Sequence, residues 1–290
     1  MNLRNLVFVL IPACFFSCTG PRNIYSASPF VSPVRMDKGN IALEANYFTH
    51  TRQTNRDTIP GIHDNCIGLN ISHMLTERSL LFGFIDTKKE QDMFRDSIAQ
   101  PGDSYFYQYN AGFDSSVIFV KRHTVGAGVQ FFSKDYNGSS ISLAISLGWH
   151  HFSMNESGLL QRVPYHRFYK VNQLSLSLQQ NFLIKISRNF KLGWVPRLTL
   201  LNNFKAHTDY SFEEKVNASL LDNRIYALFS MIGFYADYRL SRKIPLYIVG
   251  QFFNEWSLYG DKDNNDMVSK TNPFHVKGTG AAAGVRYIFK

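Results

Sequence analysis

Residues 141–153 read ISLAISLGWHHFS, a stretch that alternates between apolar and polar or small side chains. One set consists of Ile141, Leu143, Ile145, Leu147 and Trp149, and the other consists of Ser142, Ala144, Ser146, Gly148 and His150. Successive side chains of a β-strand point to opposite faces of the sheet. The stretch therefore predicts a strand with one apolar face and one polar face.

The same period of two recurs from Asn40 to the last residue, and no helical period competes with it. The alternating segments are Ile41–Tyr47, Ile67–Ile71, Tyr105–Phe113, Val125–Phe131, Gln173–Lys185, Leu192–Phe204, Tyr226–Leu240 and Leu246–Tyr259. We therefore expect an all-β protein.

The chemistry of the two faces separates a soluble sandwich from a membrane barrel. A soluble sandwich buries its apolar face and covers the other with charged side chains. Here the polar face carries Ser, Gln, Asn, Gly and Ala, and only 18% of the 290 residues are charged while 15% are aromatic. Small neutral side chains suit a hydrated lumen, and aromatic side chains at strand ends suit the membrane interface. We predict a transmembrane, antiparallel, up-and-down β-barrel.

The connections between these segments alternate between short and long. The short ones are Leu75–Arg78, Lys134–Ser139, Ile186–Asn189 and Leu240–Pro245, and the long ones are Thr51–Asp64, Thr87–Asp103, Met154–Tyr165, Ala206–Asn223 and Gly260–Pro273. Outer-membrane barrels have short periplasmic turns and long external loops. The best strand count is twelve and the second is ten. The uncertainty lies between Asp114–Ser116 and Lys121–His123, which resemble turns although Val117–Val120 is too short to cross a bilayer.

The first residues have the character of an export signal. Arg4 precedes the uncharged apolar run Leu6–Phe16, which is too short to span a membrane. No A-x-A cleavage site follows, but Cys18 comes after Phe-Phe-Ser and resembles a loose lipobox; Cys14 would leave too short an apolar segment. We expect a lipoprotein signal peptide over 1–17, a lipidated periplasmic lead over 18–39 and an outer-membrane barrel over 40–290.

The final strand, 278–290, reads GTGAAAGVRYIFK. Gly284, Tyr287 and Phe289 match the Gly-x-x-aromatic-x-aromatic signal that barrel-insertion machinery reads. The match departs from the pattern at Ala282, where a polar residue is expected, and at Lys290, which follows the final aromatic residue. A buried edge strand ending in aromatic residues is the alternative.

Cys18, the Tyr- and Pro-containing lead from Asn23 to Pro33, the Lys38-Gly39-Asn40 opening and the aromatic final strand occur in a particular order. That order resembles the outer-membrane β-barrel lipoproteins of Bacteroidota. The resemblance implies a fold and a location, and it implies no activity.

Several charged side chains fall on the polar face of their strands. They are Glu44, Arg197, Asp237, Arg239, Glu255 and Arg286. Charges in a narrow lumen are paired or hydrated, because isolated burial is costly. They form either a structural plug or a pore lining. Five aromatic side chains are also expected to face inward: Phe106, Phe132, Tyr235, Tyr247 and Phe253.

We find no catalytic group in the sequence. A nucleophile needs a base within hydrogen-bonding reach. His150 and His151 are neighbours on a strand and point to opposite faces, so they cannot form one site, and Trp149–Phe152 is interpreted as interfacial girdle at a strand end. His123, near Ser139 and Ser140, lacks the local sequence of the barrel phospholipases. We therefore predict that the protein is not an enzyme.

No metal site or cofactor is expected either. Asp261–Asp266 aligns oxygen ligands but lacks the glycine and glutamate of an EF-hand, and we interpret it as a solvated acidic loop. Cys66 is interpreted as a small apolar residue. The net charge is +9, but Lys and Arg are scattered, which does not favour nucleic acid. Arg52, Arg56, Lys88 and Lys89, in external loops, are better placed to meet outer-membrane lipid and lipopolysaccharide phosphates. Solvated loop charge is the simpler interpretation of these residues and the leading one.

These features leave three functions. The first is a binding, structural or assembly role at the surface of a bacterial cell. The second is a pore or small-solute transporter, and the third is a surface lipid hydrolase. Conductance and lipid turnover separate them.

Overall fold

A computed structural model describes residues 35–52, 65–95, 113–133, 139–160, 163–210, 226–241, 243–260 and 277–290. None of these residues forms a helix long and apolar enough to cross a membrane. They form strands joined by short turns. At the first turn Gly39 has φ of 87° and donates its backbone N–H to the Met74 carbonyl at 2.8 Å, a conformation that favours glycine.

Ten strands make up the described part of the chain. They are β1 (Ile41–Arg52), β2 (Asn65–Met74), β3 (Ser79–Arg95), β4 (Phe113–Phe132), β5 (Ser139–Leu160), β6 (Val163–Lys185), β7 (Phe190–Tyr210), β8 (Tyr226–Arg239), β9 (Leu246–Gly260) and β10 (Lys277–Phe289). Each pairs antiparallel with its neighbours in sequence, and β1 pairs with β10, so the sheet closes. The predicted antiparallel up-and-down barrel is confirmed.

The barrel has ten strands, the second of the two expected counts, and not twelve. The difference arises at β4, which runs without a break from Phe113 to Phe132. The segments at 114–116 and 121–123 are therefore not turns, because both are hydrogen-bonded to β3 and β5 along this strand. The predicted strand over Tyr105–Phe113 lies outside the described residues apart from Phe113.

Several predicted loops are strands instead. β3 continues through Thr87 to Arg95, and β7 continues to Tyr210. The expected loop at 154–165 is a tight hairpin in which Leu160 of β5 pairs with Val163 of β6. Polar residues appear in these extensions because a strand that has left the membrane needs no apolar outer face. The short turns at 75–78, 186–189 and 240–245 are found where they were predicted.

The outer face of the barrel carries an apolar belt. Ile67, Leu147 and Phe234 point outward with 65%, 63% and 56% of their surface exposed. Tyr47 and Trp149 lie at the loop side of this belt, while aromatic residues of β8 and β10 lie at the turn side. A soluble barrel does not expose apolar side chains around its whole circumference, whereas lipid covers such a belt. The barrel therefore spans a membrane.

An apolar cluster lies on the inner face at the turn side of the barrel. Met36, which precedes β1, packs with side chains from five consecutive strands: Ala42, Met74, Leu80, Phe82, Phe132 and Ala144. These residues are buried because small and large side chains from neighbouring strands meet inside the narrow end. The segment before the first strand therefore helps to fill the lumen.

Candidate functional site

The lumen contains a buried charge network centred on Arg286 of β10. Its guanidinium donates two hydrogen bonds to Glu44 Oε2, at 2.9 and 2.7 Å, and one to Asp237 Oδ2 at 2.8 Å. Arg286 is 1% exposed, and both carboxylates are buried. One cation and two carboxylates thus connect β10 to β1 and β8.

Strand register explains why these groups meet. Glu44 pairs with Arg286 on one side and with Asn70 on the other, and Arg286 pairs with Tyr247. Tyr247 in turn pairs with Arg239, whose guanidinium lies 6.0 Å from the tyrosine ring. Asn70 donates to Glu44 Oε1 at 3.4 Å. One row of paired residues therefore places five polar side chains from five strands next to one another.

The other two predicted lumen charges form a second pair. Arg197 of β7 and Glu255 of β9 are buried, with 3.7 Å between the guanidinium and carboxylate atoms. Arg197 also donates to the Met231 sulfur at 3.3 Å. The structure thus places all six predicted lumen residues on the inner face, in two separate groups.

An apolar cluster lies on the inner face between these groups. It extends from β1 and β2 to the opposite wall, and its members are Phe48, Cys66, Leu183, Val195, Met231, Tyr235, Phe253 and Ala282. Tyr235, Phe253 and Phe132 are buried, as expected of inward-facing aromatics, and Tyr247 is half-buried; Phe106 lies outside the described residues. Since β1 and β6 are five strands apart in a ten-stranded barrel, the cluster joins opposite walls.

A further set of buried charges lies toward the loop side. Lys88 forms an ion pair with Glu90, and Arg122 forms one with Asp86 at 3.2 Å. The Lys88 ammonium also lies 5.6 Å from the centre of the Phe48 ring. The prediction that Lys88 lies in an external loop is wrong, and Arg52 and Lys89 also belong to strands. The even-numbered residues of β3 up to Phe84 point inward. Continuing this alternation past Phe84 would have predicted that Lys88 and Glu90 lie in the lumen.

His150 is the centre of a buried hydrogen-bonded chain. Its Nδ1 lies 3.0 Å from Thr124 Oγ1, and its Nε2 lies 2.7 Å from Ser175 Oγ. Gly148 makes room for this contact, because a Cβ there would lie 2.6 Å from Ser175 Oγ. His151 points outward, as alternation requires, and bonds Asn172 at 2.8 Å. The expectation that 149–152 is a strand end is wrong, since β5 continues to Leu160.

A serine bonded to an imidazole is the arrangement that activates a nucleophile. Here the third group is a threonine hydroxyl, which can orient the ring but supplies no charge to stabilise an imidazolium. The adjoining cavity has a volume of about 40 Å³. A buried water needs about 10–15 Å³, so the cavity accommodates a few waters and no lipid. The arrangement is therefore suited to holding three strands together.

The remaining predicted site residues lie on the surface or outside the described residues. Tyr287 and Phe289 point outward from β10, with ring centres 4.7 Å apart. A Cβ on Gly284 would lie 2.6 Å from the Ala45 carbonyl oxygen of β1. Cys18, Arg56 and Asp261–Asp266 lie outside the described residues. Among the described residues, no group of three or more His, Cys, Asp or Glu side chains could hold a metal ion.

The chain is similar in fold to several solved structures. The translocator domain of the autotransporter NalP from Neisseria meningitidis is 10% identical, with a TM-score of 0.45, over 87% of this chain and 89% of that one. The outer membrane protease OmpT from Escherichia coli is 10% identical, with a TM-score of 0.42, over 87% and 94%. The attachment invasion locus protein Ail of Yersinia pestis is 12% identical, with a TM-score of 0.33, over 87% and 99%.

No protein-family model and no curated protein matches the sequence. At these identities and TM-scores the solved structures say nothing about what this chain binds or does. Its own side chains must carry the functional argument.

Proposed function

We propose that this protein is a closed outer-membrane β-barrel with a binding, structural or assembly role at the surface of a bacterial cell. The observation that carries the proposal is the filled lumen. The apolar cluster from Phe48 to Leu183 joins opposite walls, and the charges around Arg286 satisfy one another instead of facing water. A barrel of this size can be closed by its side chains.

The longest strands support a role outside the membrane. β4, β5, β6 and β7 contain 20, 22, 23 and 21 residues, whereas about 9–11 residues cross a bilayer. The residues of these strands beyond those needed to cross the bilayer lie on the side opposite the short turns. This is the external side of such barrels. These strands form a wall that stands above the membrane and offers the β5–β6 hairpin to the surroundings.

Conductance in planar bilayers tests the closed lumen. The purified barrel should give no stable channel openings, because the inward-facing side chains of the described strands are largely buried against one another. A Phe48→Ala/Phe253→Ala double variant removes two large side chains from the cluster and should conduct, and it serves as the positive control. Steady openings of the unaltered barrel would support the alternative, a pore or small-solute transporter, and reject the proposal.

The proposed role is non-catalytic. Ser175 and His150 form a hydrogen-bonded serine–histidine pair, and the adjoining cavity is of water size. The purified barrel should therefore not hydrolyse phospholipid or lipid A. Turnover that is lost in a Ser175→Ala variant would revive the hydrolase alternative.

The proposal includes a periplasmic amino terminus anchored by lipid at Cys18, as in the Bacteroidota lipoproteins that the sequence resembles. Met36, which precedes β1, lies at the end of the barrel that carries the short turns. This position is compatible with a periplasmic amino terminus. A Cys18→Ala variant should lose the mass of the acyl groups and accumulate as precursor. An epitope inserted at 161–162 should be accessible on intact cells, and protection of that epitope would contradict the orientation.

A further inference from the structure

Three successive rows of outward-facing side chains cross β3, β4, β5 and β6 at the loop-side edge of the apolar belt. The lowest row is apolar: Ile85, Val125, Trp149 and Leu174. The next row is Thr87, His123, His151 and Asn172, and the third, which we call the basic row, is Lys89, Lys121, Ser153 and Lys170. Register pairs the four members of each row, so each row runs across the four strands as a line of direct neighbours.

The basic row collects positive charge without compensation. Lys89 and Lys121 are direct cross-strand partners, and all three lysines are exposed. No described carboxylate lies within ion-pair distance of them, and the outward positions of all three rows contain no Asp or Glu. Like charges placed directly opposite each other on a sheet are destabilising. This cost is relieved when an anion binds between the two strands.

The height of the row indicates which anion it meets. Alternate residues of a strand are about 6.7 Å apart, and barrel strands are tilted by about 40°. Along β5 the basic row therefore lies about 10 Å above Trp149, whose indole marks the membrane interface. The headgroup layer is about 5–8 Å thick on each side of the bilayer, so the row stands at its outer edge, and flexible lysine side chains reach back into it.

We infer that the basic row on β3–β6 binds the phosphate groups of an anionic lipid in the outer leaflet, with His123 and His151 of the row below contacting the same headgroup. The apolar row beneath would contact the acyl chains of that lipid. This inference rests on the proposed outer-membrane location. It does not depend on a closed lumen.

Lipid binding to the purified barrel in detergent micelles, measured by native mass spectrometry, tests the inference. The probe is diphosphorylated lipid A, and its dephosphorylated form is the control lipid. Each lysine near an anionic surface contributes about five-fold to binding. A Lys89→Gln/Lys121→Gln/Lys170→Gln variant should therefore bind about a hundred-fold more weakly, and Lys121→Gln alone about five-fold more weakly.

The matched control is Lys38→Gln/Lys185→Gln/Lys243→Gln, which removes the same charge from exposed turn-side positions. It should bind as the unaltered barrel does. If both triple variants weakened lipid binding equally, the effect would depend only on the net charge of the protein, and the inference would be overturned. So would equal binding of the dephosphorylated lipid, or binding of inorganic phosphate alone as tight as that of lipid A.

Heat-modifiable migration on a detergent gel reports the folding of every variant. If the triple variant does not fold, the single Lys121→Gln variant decides, and unchanged binding by it would overturn the inference. Channel conductance of the unaltered barrel would refute the closed lumen but would leave these binding results unchanged. The two failures are therefore distinguishable.

Discussion

Replacing Glu44 by Gln should destabilise the barrel strongly, although the change preserves the size of the side chain. Arg286 donates two of its three described hydrogen bonds to Glu44 and one to Asp237. Removing one partner of a buried ion pair costs about 3–5 kcal/mol. Because Asp237 remains in place, we expect Glu44→Gln to cost about 3 kcal/mol.

Substitution of Asp237 should destabilise the barrel less than Glu44→Gln does, and substitution of Arg286 should destabilise it more. Asp237→Asn removes one charge-assisted hydrogen bond, which is worth about 2 kcal/mol. Arg286→Met leaves two buried carboxylates without their cation and should cost about 5 kcal/mol. Glu77→Gln, in the exposed turn between β2 and β3, is the control and should change stability by less than about 0.5 kcal/mol.

Urea unfolding in lipid vesicles, followed by tryptophan fluorescence, measures these differences. The expected order of cost is Arg286→Met, then Glu44→Gln, then Asp237→Asn. A Glu44→Gln barrel as stable as the Glu77→Gln barrel would refute the reasoning, because it would mean that water already compensates the lumen charges. A reversed order would mean that Asp237 and not Glu44 is the main partner.

Three further predictions concern the belt, the glycines and the last strand. Leu176→Arg, within the lipid belt, should lower the free energy of unfolding by about 2–4 kcal/mol, while Leu159→Arg, above the belt, should be nearly neutral. Equal costs of the two substitutions, measured by unfolding in vesicles, would contradict the assigned position of the belt. Gly128→Ala should cost about 1–3 kcal/mol, because its Cβ would lie 2.3 Å from a backbone carbonyl oxygen. Gly250→Ala, with nothing within 4 Å, should not destabilise the barrel, and a similar loss in both would contradict this packing. Phe289→Ala should slow barrel insertion in pulse-chase experiments yet refold normally in detergent; normal insertion kinetics would argue against an assembly signal.

The alternation of the sequence was sufficient to predict the fold, because lipid outside and polar groups inside impose a strict period of two. Within the lipid belt, the pattern over 141–149 also places each side chain on its face. The prediction failed where strands leave the lipid. Residues 87–95 and 154–160 have polar side chains on both faces, so their composition is typical of a loop while their hydrogen bonding is that of a strand.

The contacts of the candidate site depend on register, which one sequence does not reveal. Glu44 and Arg286 are obvious lumen candidates by face, but their pairing follows from the closure of β1 on β10. The contact between His150 and Ser175 depends on the offset of β5 against β6 and on the absence of a side chain at Gly148. The basic row likewise emerges only when β3, β4, β5 and β6 are aligned.

The ion pair between Arg286 and Glu44 joins residues 242 positions apart in the chain, across the seam where the first and last strands meet. Every other strand pair joins sequence neighbours and can form locally, so the seam is the slowest contact to find. A slip of two residues keeps every side chain on its proper face but sets Arg286 opposite Ala42 or Asn46. The apolar pattern alone does not oppose such a slip. The buried charges do oppose it, so they select the correct alignment at the moment the barrel closes.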